Sequence, residues 1–421
     1  MDLLAIAVPF FLALMLIELA ADRLLSRGLY RVNDAVNSLS TGVINVTTGY
    51  FTKVVGFVIW GFVLQHLAIF SIPLDAFAIS PSGLAWWALA IIAWDFCYYW
   101  SHRFGHEISV FWAGHAVHHQ SEDYNLSTAL RQPSTGFLLN WVFYLPLFLV
   151  GFPLEILVTV NAINLIYQFW VHTQFITRLG ILEWFLVTPS NHRVHHAQNE
   201  RYIDRNYGGM FIVWDRLFGS FQDELDDEIP VYGVRRPLHS WDPFWANLKV
   251  YADLAFDSLH TRAWRDKLRV WFAKTGWRPE DVKSRYPAAH SDLRRFEKYD
   301  PPLSSGLKAY VALQCAAVIA GTLWVGLVYV DGGLSAIVWP CMAIWASLYV
   351  IGWMNQGRRL SGFLEALRLL GIGAFAASAA AQPMVLGGYV VISLFGLFLV
   401  ILLDKKQTDM KAISKINEVS A

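Results

Sequence analysis

The sequence predicts an all-α fold, a polytopic bundle of transmembrane helices with a histidine-rich cap on its cytosolic face. Three observations carry that prediction. The 421-residue chain is 55% hydrophobic and 16% charged, against about 25% charged in an ordinary soluble domain, and its mean hydropathy is +0.39. Its apolar residues gather into stretches near the length that a bilayer demands, about 20 residues for a helix. Its basic residues follow alternate stretches in a single phase.

The first apolar stretch, 3–21, precedes Arg23, Arg27 and Arg31. A secretory leader has the reverse charge order, so a retained first span is expected. The second, 42–70, is long and carries Lys53 at a candidate break. Further spans are read at 84–101, 136–151, 153–171, 308–330, 334–353, 361–380 and 384–403. Gly151, Phe152 and Pro153 make 136–171 a helical hairpin only just long enough to cross. Asp331-Gly332-Gly333 and Gln382-Pro383 read as tight turns. Arg103 follows the third span, Arg178 the fifth, Arg358 and Arg359 the seventh, and Lys405 and Lys406 the ninth. Nine crossings put all these clusters on one side, which the positive-inside bias makes cytoplasmic. The expected location is a bacterial cytoplasmic membrane or the endoplasmic reticulum.

Residues 172–306 form the long polar region. Within it, 241–256 and 261–273 mix aromatics with charges at near-helical spacing, as helices lying on a membrane surface do; a small cytosolic subdomain is the alternative. The expected divisions are a membrane-embedded part at 1–235, interfacial helices at 236–306, C-terminal spans at 307–404 and a polar tail at 405–421. The 19 tryptophans and 17 tyrosines suit a membrane interface. A net charge of zero offers no basic patch for nucleic acid. Cys97, Cys315 and Cys341 sit in apolar stretches without metal or disulfide spacing, so they read as small buried hydrophobes. A metal here must be bound through nitrogen and oxygen.

The 13 histidines are not scattered. His102 and His106 form H-x3-H just after the third span. His115, His118 and His119 form H-x2-HH, and His192, His195 and His196 repeat it after the fifth span. Residues three or four apart share a helix face, so such imidazoles can converge on one ion. Eight clustered histidines exceed the four to six positions usual for a first-row ion, so two metals are the economical reading. His172, at the end of the fifth span, is a ninth candidate. All nine fall on one membrane side in a topology that never consulted them. His66, His239, His260 and His290 read as ordinary surface or core residues. Imidazole suits zinc, copper, iron and nickel alike. No H-E-x-x-H, C-x-x-C-H or strand-linked G-x-G-x-x-G motif is present.

The order of these motifs resembles the fatty acid hydroxylase and sterol desaturase superfamily of membrane di-iron enzymes. The stretches 102–107, 112–119 and 121–132, then Asn191-His192-Arg193-Val194-His195-His196, 204–209 and 214–219, are similar in particular to its alkylglycerol monooxygenase branch. The resemblance covers roughly 80–235, and the apolar block at 308–403 also suits that branch's layout. It implies two iron ions held by the nine histidines and O2-dependent hydroxylation or monooxygenation of an alkyl-ether or acyl lipid. It also implies tetrahydrobiopterin as a reductant, although nothing in the residues reads as a pterin site. Some membrane relatives carry a further histidine pair where this chain has Gln168 and His172, which puts a tenth nitrogen ligand in doubt.

A cationic centre attracts carboxylates that fix imidazole tautomers. Glu107, Asp123 and Asp95 are candidates for that role, and Asn125 and Asn191 for holding a metal-bound water; as helix caps or turn residues the asparagines need no such role. Arg131 and Arg193 could meet a lipid headgroup. A desaturase of the same superfamily is the nearest alternative. A membrane metal transporter is the alternative from another class, disfavoured because its ligands would lie near the bilayer midplane. A non-catalytic adaptor and a zinc hydrolase are weaker readings. An electron-donor partner is compatible with the sequence, and the oligomeric state is not read from it.

Overall fold

Among the residues that the computed structural model describes, 3–378 and 387–401, every regular element is a helix, and β structure is limited to isolated bridges. The chain divides into two compact units. One takes in the residues up to His239 together with Trp245–Lys298; the other takes in Ser240–Phe244 and the described residues from Tyr299 onward.

The first unit begins with α1 (Leu3–Leu24) and α2 (Val32–His66). At 35 residues, α2 is about 52 Å long, well beyond a hydrocarbon core of about 30 Å. Its two halves differ accordingly. The first buries Asn33, Asp34, Asn37 and Thr41, whereas the second exposes Val54, Val55, Val58 and Phe62. The helix runs unbroken through Lys53. That lysine lies on the helix surface with its stem beside Gly49, so its charge never enters the packing and gives no reason for a break.

α3 (Pro81–Glu107) follows, then the short helices α4 (Ser109–Ala113), α5 (Ala116–His119) and α6 (Leu126–Ala129). The span expected at 136–151 is not one helix. Residues 136–144 form 3₁₀ turns, and only α7 (Leu145–Val150) is α-helical. Pro146 stands in the first turn of α7, where its missing N–H costs no helical hydrogen bond. Gly151 (φ 105°) then reverses the chain into α8 (Leu154–Trp170). A Cβ there would lie 2.0 Å from the Phe70 carbonyl oxygen, so only glycine fits. α3, α7 and α8 close on a core of Trp94, Phe148, Leu157 and Val160. Phe11 of α1 stacks on Phe169 of α8 at 4.1 Å. The unit continues with α9 (Pro189–His196), α10 (Val213–Phe218), α11 (Pro243–His260), α12 (Trp264–Phe272) and α13 (Glu280–Arg285).

The second unit holds α14 (Ser305–Met354), α15 (Ser361–Ser378) and α16 (Gly387–Ile401). α14 is two helices joined end to end at Gly333 (φ 66°, ψ −163°), where a turn separating two spans was expected. The expected turn at Gln382-Pro383, the clusters at Lys405 and Lys406 and the tail lie outside the described residues. Among those described, α2 and α14 are long and apolar enough to cross a membrane.

Candidate metal centre

Each clustered histidine is delivered by a helix end whose start is set in the sequence. α3 opens with Pro81 in its first turn and Ser80 accepting a hydrogen bond from the Gly83 N–H at 3.0 Å. Its last two turns carry His102 and His106. His115 stands at the N-cap of α5, which ends on His118 and His119. α9 has Pro189 in its first turn and a reciprocal cap. In that cap the Thr188 hydroxyl accepts from Asn191 N–H, and Asn191 Oδ1 accepts from Thr188 N–H at 3.2 Å. α9 ends with His192, His195 and His196, and His172 follows the end of α8.

These elements bring nine histidines into two groups that could each hold a metal ion. His102, His106, His115, His119 and His195 form one; His118, His172, His192 and His196 form the other. Within each group the donor atoms lie within 4.8 Å of one another. The two H-x2-HH motifs are divided in opposite senses. The outer pair of the first motif (His115, His119) joins the five-membered group and its middle residue, His118, the four-membered one. In α9 the outer pair (His192, His196) joins the four and His195 the five. The groups are therefore adjacent, with His119 stacked on His196 at 4.3 Å.

Ring tautomers follow from the outer contacts. Nδ1 of His102, His118, His172 and His195 lies 2.7, 2.9, 2.7 and 3.0 Å from the backbone oxygens of Tyr207, Arg131, Gln168 and Arg205. A carbonyl only accepts, so each Nδ1 donates and each Nε2 is left with a bare lone pair. Yet Nε2 of His118 stands 3.2 Å from Nε2 of His172. A proton between them would make one ring an imidazolium. Burial pushes His118 down to about 4, and His172 well below the ordinary histidine range. Two lone pairs facing across that gap suit a shared cation. Donors bound to one ion at about 2.1 Å stand about 3.0 Å apart in an octahedron and about 3.4 Å apart in a tetrahedron. His102–His115, His115–His119 and His172–His192 each show 3.1 Å. Nε2 of His106, His195 and His196 and Nδ1 of His192 are buried and, among the described residues, without a hydrogen-bond partner. The donor set fits metal ions.

The carboxylates expected around the rings are placed elsewhere. Glu107 Oε1 accepts from Arg103 at 3.0 Å and from the Tyr207 hydroxyl at 3.5 Å. Asp123 is ion-paired with Arg31 at 3.0 Å and Lys298 at 2.6 Å. Asp95 accepts from Asn164, Met210 N–H, Phe211 N–H and Trp214, tying α3 to α8 and to the 204–214 segment. Asn125 and Asn191 are both engaged as helix caps, at the starts of α6 and α9. Arg131 is 0% exposed, and its guanidinium is spent on Val117 O, Asn37 and Gln120, leaving no face for a headgroup. Arg193 forms a two-pronged pair with Glu224 at 2.8 and 2.7 Å and bonds the carbonyls of Thr173 and Ile176. The Gln168 side chain turns to Tyr98 and Asn164, and only its backbone oxygen serves His172.

Sequence reasoning noted the 204–209 run for its resemblance but gave it no role at the histidines. Asp204 (φ 59°) and Asn206 (φ 56°) adopt the left-handed conformation, which Asp and Asn tolerate best after glycine. Between and after them, Arg205 and Tyr207 present alternate carbonyls to His195 and His102. Asp215 holds the loop by accepting from Tyr207 N–H at 2.7 Å and Gly208 N–H at 2.8 Å. A Cβ at Gly209 would lie 2.7 Å from Asp95 Oδ1, so the loop's close approach needs glycine there. The Asp-Arg-Asn-Tyr-Gly-Gly run was the available signal.

A family model described as fatty acid hydroxylase matches residues 87–220, which contain all nine grouped histidines. Alkylglycerol monooxygenase of Homo sapiens is 38% identical over 325 residues, covering 75% of this chain and 69% of the relative. That of Danio rerio is 38% identical over 315 residues, covering 73% and 67%. That of Xenopus tropicalis is 34% identical over 315 residues, covering 75% and 68%. No solved structure matches the chain. Identity at this level over more than two thirds of each relative goes well beyond shared histidine motifs, and the chain belongs to the alkylglycerol monooxygenase family of the fatty acid hydroxylases, a membrane protein and an oxidoreductase.

Proposed function

We propose that this chain is an O2-dependent lipid monooxygenase that holds two iron ions, one in each histidine group, and acts on alkyl-ether lipids with tetrahydrobiopterin as reductant. The observation that carries the proposal is the facing pair of bare nitrogens on His118 and His172, 3.2 Å apart, accompanied by a second cluster with the same character. Iron is favoured over other imidazole-binding metals by the family. The ether substrate is the one that the relatives' names carry.

Bound there, iron would supply O2-dependent oxidation of a C–H bond, one oxygen atom entering the lipid and the other leaving as water with two electrons from the reductant. Hydroxylation beside an ether oxygen yields a hemiacetal, which splits to an aldehyde and a free hydroxyl. The chain's own part is to hold and shield. The backbone oxygens of Arg131, Gln168, Arg205 and Tyr207 fix the ring tautomers. Burial pushes His115, His119, His192 and His196 well below their ordinary range, which keeps them neutral as metal binding requires. A multi-pass topology with all nine ligands on the cytoplasmic side completes the proposal, supported by the charge phase and by the lengths of α2 and α14.

The test is metal analysis of purified protein coupled to lipid mass spectrometry of cells with and without it. Iron in the protein and loss of an ether-lipid class, both abolished by His118→Ala with His195→Ala, are expected. Full activity in a metal-free double variant would end the reading.

A further inference from the structure

α12 carries large apolar side chains on the face turned away from its packing. Trp264, Leu268 and Phe272 are four residues apart and so share one side of the helix. They are 82%, 71% and 69% exposed. Val270, on the packed side, is fully buried against Ala113 and Leu254. Exposed Arg262, Arg265, Arg269 and Lys274 flank the apolar row, and the sole acidic residue from 262 to 274 is Asp266.

The nine residues of α12 are about 14 Å long, too short to cross about 30 Å of hydrocarbon, and arginine is costly inside it. A helix with one apolar aromatic face and a basic flank suits the plane of an interface. The excess of positive charge selects anionic lipid over a neutral surface. We propose that α12 lies in the headgroup layer of an anionic leaflet, with Trp264, Leu268 and Phe272 at the acyl boundary and the flanking arginines on lipid phosphates. The contact reaches the histidines through the backbone. Ser109 N–H donates to the Ala273 carbonyl at 3.0 Å, and Thr275 N–H donates to the Glu107 carbonyl at 3.0 Å. The end of α12 is thus fastened to the link between His106 and His115, which sets the five-histidine group close to the leaflet. That last step rests on the lipid-monooxygenase reading; the lipid contact itself does not.

The experiment places a polarity-sensitive fluorophore on Leu268→Cys in the full chain, reconstituted in lipid nanodiscs. Cys97, Cys315 and Cys341 are buried, which keeps background labelling low. A second label at exposed Lys283→Cys reports the water-facing reference. In discs containing phosphatidylglycerol, emission from position 268 should shift to the blue and be quenched by brominated acyl chains. Quenching should weaken in phosphatidylcholine alone, and Arg265→Gln should lower the docking equilibrium about fivefold. A label at 268 that stays in water in both discs, or quenching that ignores lipid charge, overturns the proposal. Metal content, read on the same samples, separates this outcome from failure of the metal centre: docking without metal would contradict the proposed function and leave the lipid contact standing.

Discussion

In the C-terminal unit, Glu365 and Arg368 are buried, and each polar atom of the pair has a partner. Glu365 accepts two bonds from Arg368 at 2.7 Å and one from the Tyr310 hydroxyl at 2.6 Å, while Arg368 also reaches Gln314 and Ser347. In the first unit, nine imidazoles, eight of them buried and His115 partly so, converge with their inward nitrogens facing one another, and backbone acceptors reach only outward nitrogens. Both clusters are costly to bury. A charge pair that satisfies itself fastens helices and needs nothing further. A set of bare nitrogens, each costing about 1–3 kcal/mol if left unpaired, is a receptacle whose last partner comes from outside the chain.

Metal removal separates the two clusters most strongly. An ion present at about a thousandfold its dissociation constant stabilises the folded state by about 4 kcal/mol. Chelation should therefore lower the melting temperature of the wild-type protein, with the loss restored by added metal. Glu365→Ala should cost about 3–5 kcal/mol by stranding Arg368, visible as a lower melting temperature while metal per folded chain stays at the wild-type value. A drop in metal content there would blur the distinction. Asp215→Ala should weaken metal binding about 10- to 100-fold at the five-histidine group alone, because it frees the loop that presents Arg205 O and Tyr207 O; equilibrium dialysis would show one weak and one normal site. Gln168→Ala should leave metal content and activity unchanged, since only its backbone oxygen touches His172. A loss there would give the glutamine side chain a part that its contacts do not.

The histidine pattern was readable because side chains carry it: i, i+3 and i+4 spacing names a helix face whatever the fold does next. The division of each H-x2-HH between two groups was not, because it depends on how α5 and α9 oppose one another across sequence. Nor were Arg205 and Tyr207, since a carbonyl is the same in every residue and leaves no mark in the sequence. Residue type alone made Asp95, Asn125 and Arg131 candidates for the site, and burial together with their hydrogen bonds places them in the scaffold. Among the spans, long apolar runs were legible as helices even where they hold Pro9 or Pro340, whereas 136–151 misled because hydropathy does not tell the 3₁₀ turns of 136–144 from an α-helix.

The most direct test of the account is a count of tightly bound metal ions per chain in the wild type, in His195→Ala and in His118→Ala. Two ions in the wild type are predicted from the two groups, with His195→Ala losing the ion of the five-histidine group and His118→Ala losing that of the four. A single ion in the wild type, or two retained in either variant, would contradict it.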